Sequence, residues 1–168
     1  MIRACKSRTA PLWVLAAILA ATAVQAGDTG RTGASPATKA VFDFRAASPQ
    51  TAAVYLDLAH DTYRDAVATA SVRGGEAAFA VVFIGPAVKL LVPPPASPAT
   101  DEDIARARMQ ERLTAMAADG IALEVCLFAA DLLGVDPDSM HSAVTRVENG
   151  WISTIDYQAR GFALVPAY

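Results

Sequence analysis

Cysteine is scarce: the 168 residues hold two, Cys5 and Cys126. That excludes a disulfide framework, and neither a CxxC redox pair nor a zinc-ligand spacing is present. HExxH and GxSxG are missing too, so the zinc-peptidase and nucleophile-elbow hydrolase readings lack their basic parts. There is no glycine-rich phosphate loop, because Arg73-Gly74-Gly75 runs into a strand-like segment and not a helix. Positive charge is also in short supply, with 14 Lys and Arg against 17 Asp and Glu. No basic stripe is available to neutralise phosphates, and nucleic acid is not expected as a partner. The apolar run Pro11 to Val24 is shorter than the roughly 20 residues that cross a bilayer, and no later stretch is long enough and apolar enough to do so.

That run has the layout of a secretory signal. Arg3, Lys6 and Arg8 precede it, and Val24-Gln25-Ala26 offers small residues for cleavage before Gly27. Residues 1–26 are therefore expected to be a signal peptide, with an uncleaved anchor as the alternative, and the chain to be periplasmic or secreted from a bacterium. Cys5 would leave with the signal. Removing the three basic residues leaves 11 against 17 acidic ones, a formal charge of -6. The remaining 142 residues suit a single core. Cys126 then stands alone in an oxidising compartment: buried and inert, paired with another molecule, or kept as a working thiol.

Residues 27–39 are small and polar, without periodicity, and read as a flexible lead-in to a domain over 40–168. Ala40 to Arg45 reads as a strand. Ser48-Pro49 opens a helix, with Ala53, Leu56, Ala59, Tyr63, Ala66 and Val67 at helical spacing up to about Ser71. Ala77 to Gly85 is almost wholly apolar, as in a strand covered on both faces. Thr100 and the acidic residues after it start a second helix, which carries Ile104, Ala107, Leu113 and Met116 inward and stops at Gly120. Ile121 to Leu127 is a third strand, Phe128 to Leu133 one or two helical turns, and Ala143 to Glu148 a fourth strand. Asn149 caps a last helix on which Ile152, Ile155 and Ala159 share a face, and Phe162 to Pro166 closes the chain as a fifth strand. The alternation predicts an α/β fold: an open, mostly parallel five-stranded sheet with helices on both faces, in three layers.

The order of these motifs resembles the DsrE family of sulfur-relay proteins. The resemblance rests on Val81-Val82-Phe83-Ile84-Gly85-Pro86 with the apolar residues after it, and on Gly120 to Cys126 followed by Ala129-Ala130 and Gly134-Val135. The third element is the close from Gln158-Ala159-Arg160-Gly161 to Pro166, and together they span residues 40 to 168. It implies a three-layer α/β/α domain that assembles into homo-oligomers. It also implies that Cys126 matches the position where relay members carry sulfur as a persulfide, passed between protein thiols. A thiol or sulfur donor or acceptor protein is then an expected partner, and no cofactor or metal is expected. Two features depart from the pattern: relay members work in the cytoplasm, and Ile84 stands where many relatives have a polar residue, often histidine.

The residues support the site independently. Cys126 falls at the carboxyl end of a predicted central strand and before a helical turn, where open α/β sheets form their crevices. A helix N-terminus favours a thiolate, and a thiolate with access can attack sulfane sulfur. The alternative is that Cys126 is a small core hydrophobe in a non-catalytic oligomeric binding module. His141 is a weaker candidate, as a proton shuttle beside Cys126 or, with Met140, as part of a soft-metal site. His60 lies among Asp57, Asp61 and Asp65, a stripe that could hold a cation but more commonly is a solvated face. Arg160 and Lys89 are the basic residues nearest the motifs, where they could attract an anionic sulfur species. Trp151 and Tyr157, around the last helix, suit core or oligomer contacts.

Overall fold

A computed structural model describes residues 37–97 and 99–168. The proposed signal segment and most of the lead-in lie outside the described residues. Five strands, β1 (Thr38–Phe44), β2 (Ala77–Phe83), β3 (Ala122–Cys126), β4 (Thr145–Val147) and β5 (Ala163–Ala167), form one sheet in the order β4-β3-β2-β1-β5. Every pairing is parallel. The helices are α1 (Pro49–Arg73), α2 (Asp101–Ala118), α3 (Leu127–Leu132) and α4 (Gly150–Ala159), with tight helical turns at Gly85–Leu91 and Pro137–Ser139.

The strand order dictates the layering. The chain steps in one direction from β1 to β4 and then returns across the sheet to β5. Right-handed crossovers therefore put α1 and α2 on one face and α4 on the other. Side chains follow suit. Phe79 on β2 meets Tyr63 of α1, with ring centroids 5.4 Å apart, and Phe42 and Phe44 share that bulky aromatic face. The other face alternates to Val41, Asp43, Val82, Glu124 and Cys126. There Glu124 accepts hydrogen bonds from Ser153 and from the Tyr157 hydroxyl (2.8 Å), both on α4.

The helix starts match their sequence signals. The Ser48 hydroxyl accepts from Thr51 N–H, and Thr100 and Asp103 form a reciprocal capping box. One expectation needs correction in its direction. Ile104 points outward on α2, while Leu113 and Met116 are buried as expected, with Met109 beside them. Ile152, Ile155 and Ala159 share a face of α4 as expected, and it is the solvent face, with the isoleucines 58% and 62% exposed. The physical reason is that α4 seats itself through Gly150, Thr154 and Tyr157 on a sheet face that contains Asp43 and Glu124, so its polar and small residues turn inward.

Candidate functional site

Three adjacent strands end side by side at the carboxyl edge of the sheet, and the residues at and just past their ends build a pocket. β1 leads into Arg45, β2 into Ile84 and Gly85, and β3 ends in Cys126. The edge is pinned by backbone bonds from Ile84 N–H to Phe44 O (3.0 Å), Arg45 N–H to Ala167 O (2.7 Å) and Phe128 N–H to Glu148 O (3.1 Å). Gly85 takes φ +60, which lets the chain leave β2 and turn at once into the 85–91 segment.

Cys126 is 2% exposed. Its Sγ accepts a hydrogen bond from Ala129 N–H at 3.4 Å, capping α3. From the other side α4 begins directly over it: a Cβ on Gly150 would lie 2.9 Å from the Cys126 Cβ. Only glycine allows that approach. Asn149, just before, accepts from Trp151 N–H through its side chain and fixes the start of α4. A pocket of about 120 Å³ opens here, lined by Arg45, Ile84, Gly85, Cys126, Phe128, Ala129, Leu132, Asn149 and Trp151. It is the crevice at the strands' carboxyl ends where ligands of open α/β sheets bind.

His141 is not among the lining residues. Thr114 on α2 lies 3.1 Å from its Nε2, and its Nδ1 accepts from Ala143 N–H at 3.1 Å. Because Thr114 donates its own hydroxyl proton to Gln110 O (3.1 Å), the Nε2 carries the ring proton and donates to Thr114. Burial pushes the imidazole below its ordinary range. Met140 is buried in the core, so the structure does not gather Cys126, Met140 and His141 at the pocket. Among the described residues, no group of three or more His, Cys, Asp or Glu is placed to hold a metal ion.

His60 is fully buried, not part of a solvated stripe. Arg112 reaches its Nδ1 at 3.0 Å and Asp119 its Nε2 at 2.6 Å. The guanidinium can only donate, so Nδ1 is the acceptor and Nε2–H donates to Asp119. Arg112 also pairs with Asp57 (2.6 Å), and Arg64 with Asp119 (3.3 Å). Asp57 is thereby a partner of Arg112, while Asp61 and Asp65 stay exposed.

Lys89 and Arg160 do not line the pocket either; Arg160 lies over the Tyr157 ring at 4.2 Å. The cation that does line it is Arg45, which sequence reasoning passed over. The rule that singled out Cys126, the carboxyl end of a central strand, applies equally to Arg45. Trp151, expected as a core or oligomer contact, contributes to the same lining.

A family model described as the DsrE/DsrF-like family matches residues 38–166. No curated protein matches. Among solved structures, MTH1491 from Methanobacterium thermoautotrophicum, described as a protein of unknown function, superposes with a TM-score of 0.57 at 15% identity, over 76% of this chain and 96% of its own. The YchN protein from E. coli superposes with a TM-score of 0.52 at 12% identity, over 77% of this chain and 98% of its own. At such identities the likeness is one of fold.

Proposed function

The chain belongs to the DsrE/DsrF-like family, and from that premise we propose that it is an exported sulfur-binding or sulfur-transfer protein that carries sulfane sulfur as a persulfide on Cys126. Family membership points to a role related to sulfur relay. The observation that carries the finer reading is the place of Cys126: the last residue of β3, at the base of a pocket on the carboxyl edge of the sheet. Transfer needs a thiolate that attacks a sulfane sulfur and releases the donor's remainder. Export is read from Arg3, Lys6, Arg8 and the apolar run after them.

The test is the intact mass of the purified chain after incubation with a sulfane-sulfur donor, beside Cys126→Ser. A gain of whole sulfur atoms that reductant removes and the variant lacks is the expected result. An unchanged mass, with Cys126 resistant to alkylation until the protein unfolds, overturns it.

One observation favours a second reading. At 2% exposure Cys126 also fits a core thiol in a non-catalytic oligomeric binding module. Both readings take the chain to be a homo-oligomer. Trp151, Ile152 and Ile155 put three large apolar side chains, each more than half exposed, on the outer face of α4, and Leu164 adds a fourth on β5. Large apolar side chains exposed together on one helix face mark interfaces. Sedimentation of wild type against Ile155→Glu tests it: the variant should shift to a smaller species, and a monomeric wild type overturns it.

A further inference from the structure

Besides Cys126, the pocket is lined by one charged side chain, Arg45, and that side chain is built in. Arg45 donates through Nε to both carboxylate oxygens of Asp43, at 2.8 and 3.0 Å, and its guanidinium lies over the Trp151 ring at 5.7 Å. Asp43 is itself only 8% exposed. A carboxylate is costly to bury, and this one is placed where its effect is to hold the arginine in one orientation. With Nε so engaged, the two terminal amino groups of Arg45 make no hydrogen bond to the described residues.

The rest of the lining sets the size and polarity of what fits. Ile84, Phe128, Ala129 and Leu132 are apolar, and the Asn149 side-chain oxygen is already taken by Trp151 N–H. The volume of about 120 Å³ is well below the roughly 300 Å³ at which pockets for drug-sized ligands begin. A guanidinium edge in apolar surroundings attracts an anion more strongly than it would in open water.

We propose that this pocket binds a small anion that carries sulfane sulfur, and that Arg45 is the residue that selects it. The inference rests on the carrier reading for the reaction and adds the substrate class. With thiosulfate, the Cys126 thiolate attacks the outer sulfur, the donor's S–S bond breaks, a new S–S bond forms on Cys126, and sulfite leaves with the electron pair. With a hydropolysulfide anion, the same attack leaves a persulfide on Cys126 and releases a hydrosulfide or shorter polysulfide anion. Neither exchange needs an outside oxidant, reductant or proton. The thiolate and the donor are both anions, and the guanidinium offsets their repulsion.

Two alkylating reagents of nearly the same shape, iodoacetate and iodoacetamide, differ in charge and report on Arg45 whether or not sulfur is transferred. Relative to a small free thiol, Cys126 should favour iodoacetate, and sulfate should slow both reactions in the wild type. Arg45→Gln should lower the iodoacetate-to-iodoacetamide rate ratio roughly tenfold, the scale of one charge-assisted hydrogen bond, and Arg45→Lys should restore part of it. Sulfur loading from thiosulfate and from polysulfide, followed by mass, should fall in Arg45→Gln in step with that ratio. An equal ratio in wild type and Arg45→Gln overturns the inference even where sulfur loads normally. A charge preference without sulfur gain from either donor supports the anion pocket and overturns the carrier. A Cys126 that reacts with neither reagent in the folded chain overturns both. If Arg45→Gln does not fold, the wild-type charge preference and its suppression by sulfate decide the matter.

Discussion

Gly150 touches Cys126 so closely that a Cβ on the glycine would stand 2.9 Å from the Cys126 Cβ and 2.8 Å from the Ile84 Cγ1. Real Cβ atoms do not come that near, and all three residues are held in place: Gly150 opens α4, Cys126 ends β3, and Ile84 N–H is bonded to Phe44 O. Gly150→Ala must therefore push the start of α4 away from the sheet. Overpacking of this kind costs about 1–3 kcal/mol, and the loss should appear as a lower midpoint in urea denaturation. The same displacement should make Cys126 easier to alkylate in the folded protein. A variant as stable as wild type, with the same thiol reactivity, would show that α4 does not sit on Cys126 as described.

His60 is the centre of a chain of polar contacts between α1 and α2, running from Asp57 through Arg112 and His60 to Asp119. His60→Ala removes a fully buried ring and leaves Arg112 and Asp119 without it, a loss expected to cost about 2–4 kcal/mol. The Asp119 carboxyl is held below its ordinary value chiefly by the His60 hydrogen bond, with Arg64 adding to it. In His60→Ala it should move back up. An NMR titration of the Asp119 side chain reads that directly, and an unmoved carboxyl would mean that Arg64 alone sets it.

The sequence made the middle of the sheet legible because β1 and β2 are buried along most of their length, so apolar runs such as Ala77 to Gly85 stand out from the capped helices between them. It made Cys126 legible because few residues compete for a strand's carboxyl end. It could not show which way α4 would turn. Ile152 and Ile155 share a face that turns to solvent because the sheet face beneath α4 carries Glu124, which Ser153 and Tyr157 satisfy, and Asp43, which Arg45 holds. His60 was hidden for a related reason: its partners Arg112 and Asp119 lie more than fifty residues away, and its nearer neighbours Asp61 and Asp65 are on the exposed side. Arg45 was within reach of the same topological rule as Cys126. Its pairing with Asp43, two residues earlier, follows from the alternation of a strand.

His141 gives the fold an acid-sensitive contact between α2 and the loop before β4. Burial lowers its affinity for a proton relative to the unfolded chain, and its Nδ1 already accepts from Ala143 N–H, which leaves no place for a second ring proton. The unfolded chain therefore binds the proton more readily. The contribution of His141 is complete above the ordinary histidine value of 6.5 and is lost as pH falls through the lower folded-state value. Denaturation midpoints measured from pH 7.5 down to about pH 5 should fall less steeply in His141→Gln than in wild type. Parallel curves for the two proteins would count against a buried neutral ring.

Tyr157 acts at the opposite end of the scale. Burial first, and then its hydrogen bond to Glu124, push the phenol from 10.0 up to about 12. The folded chain keeps this proton where the unfolded chain gives it up. The stabilisation is therefore present in full below 10.0 and disappears as pH rises toward about 12. Ultraviolet titration of the folded protein should show one tyrosine ionising well above the others, and that late step should be missing from Tyr157→Phe. Glu124→Gln should bring the step earlier, since it removes the charge that opposes ionisation while keeping an acceptor for the hydroxyl. Because Glu124 and Cys126 lie two residues apart on the same face of β3, Glu124→Gln also tests whether the seat of α4 governs the pocket. If it does, loosening the Ser153 and Tyr157 contacts should raise Cys126 alkylation along with the shift of the phenol. If the phenol moves and the thiol does not, Gly150 and Asn149 hold the start of α4 by themselves.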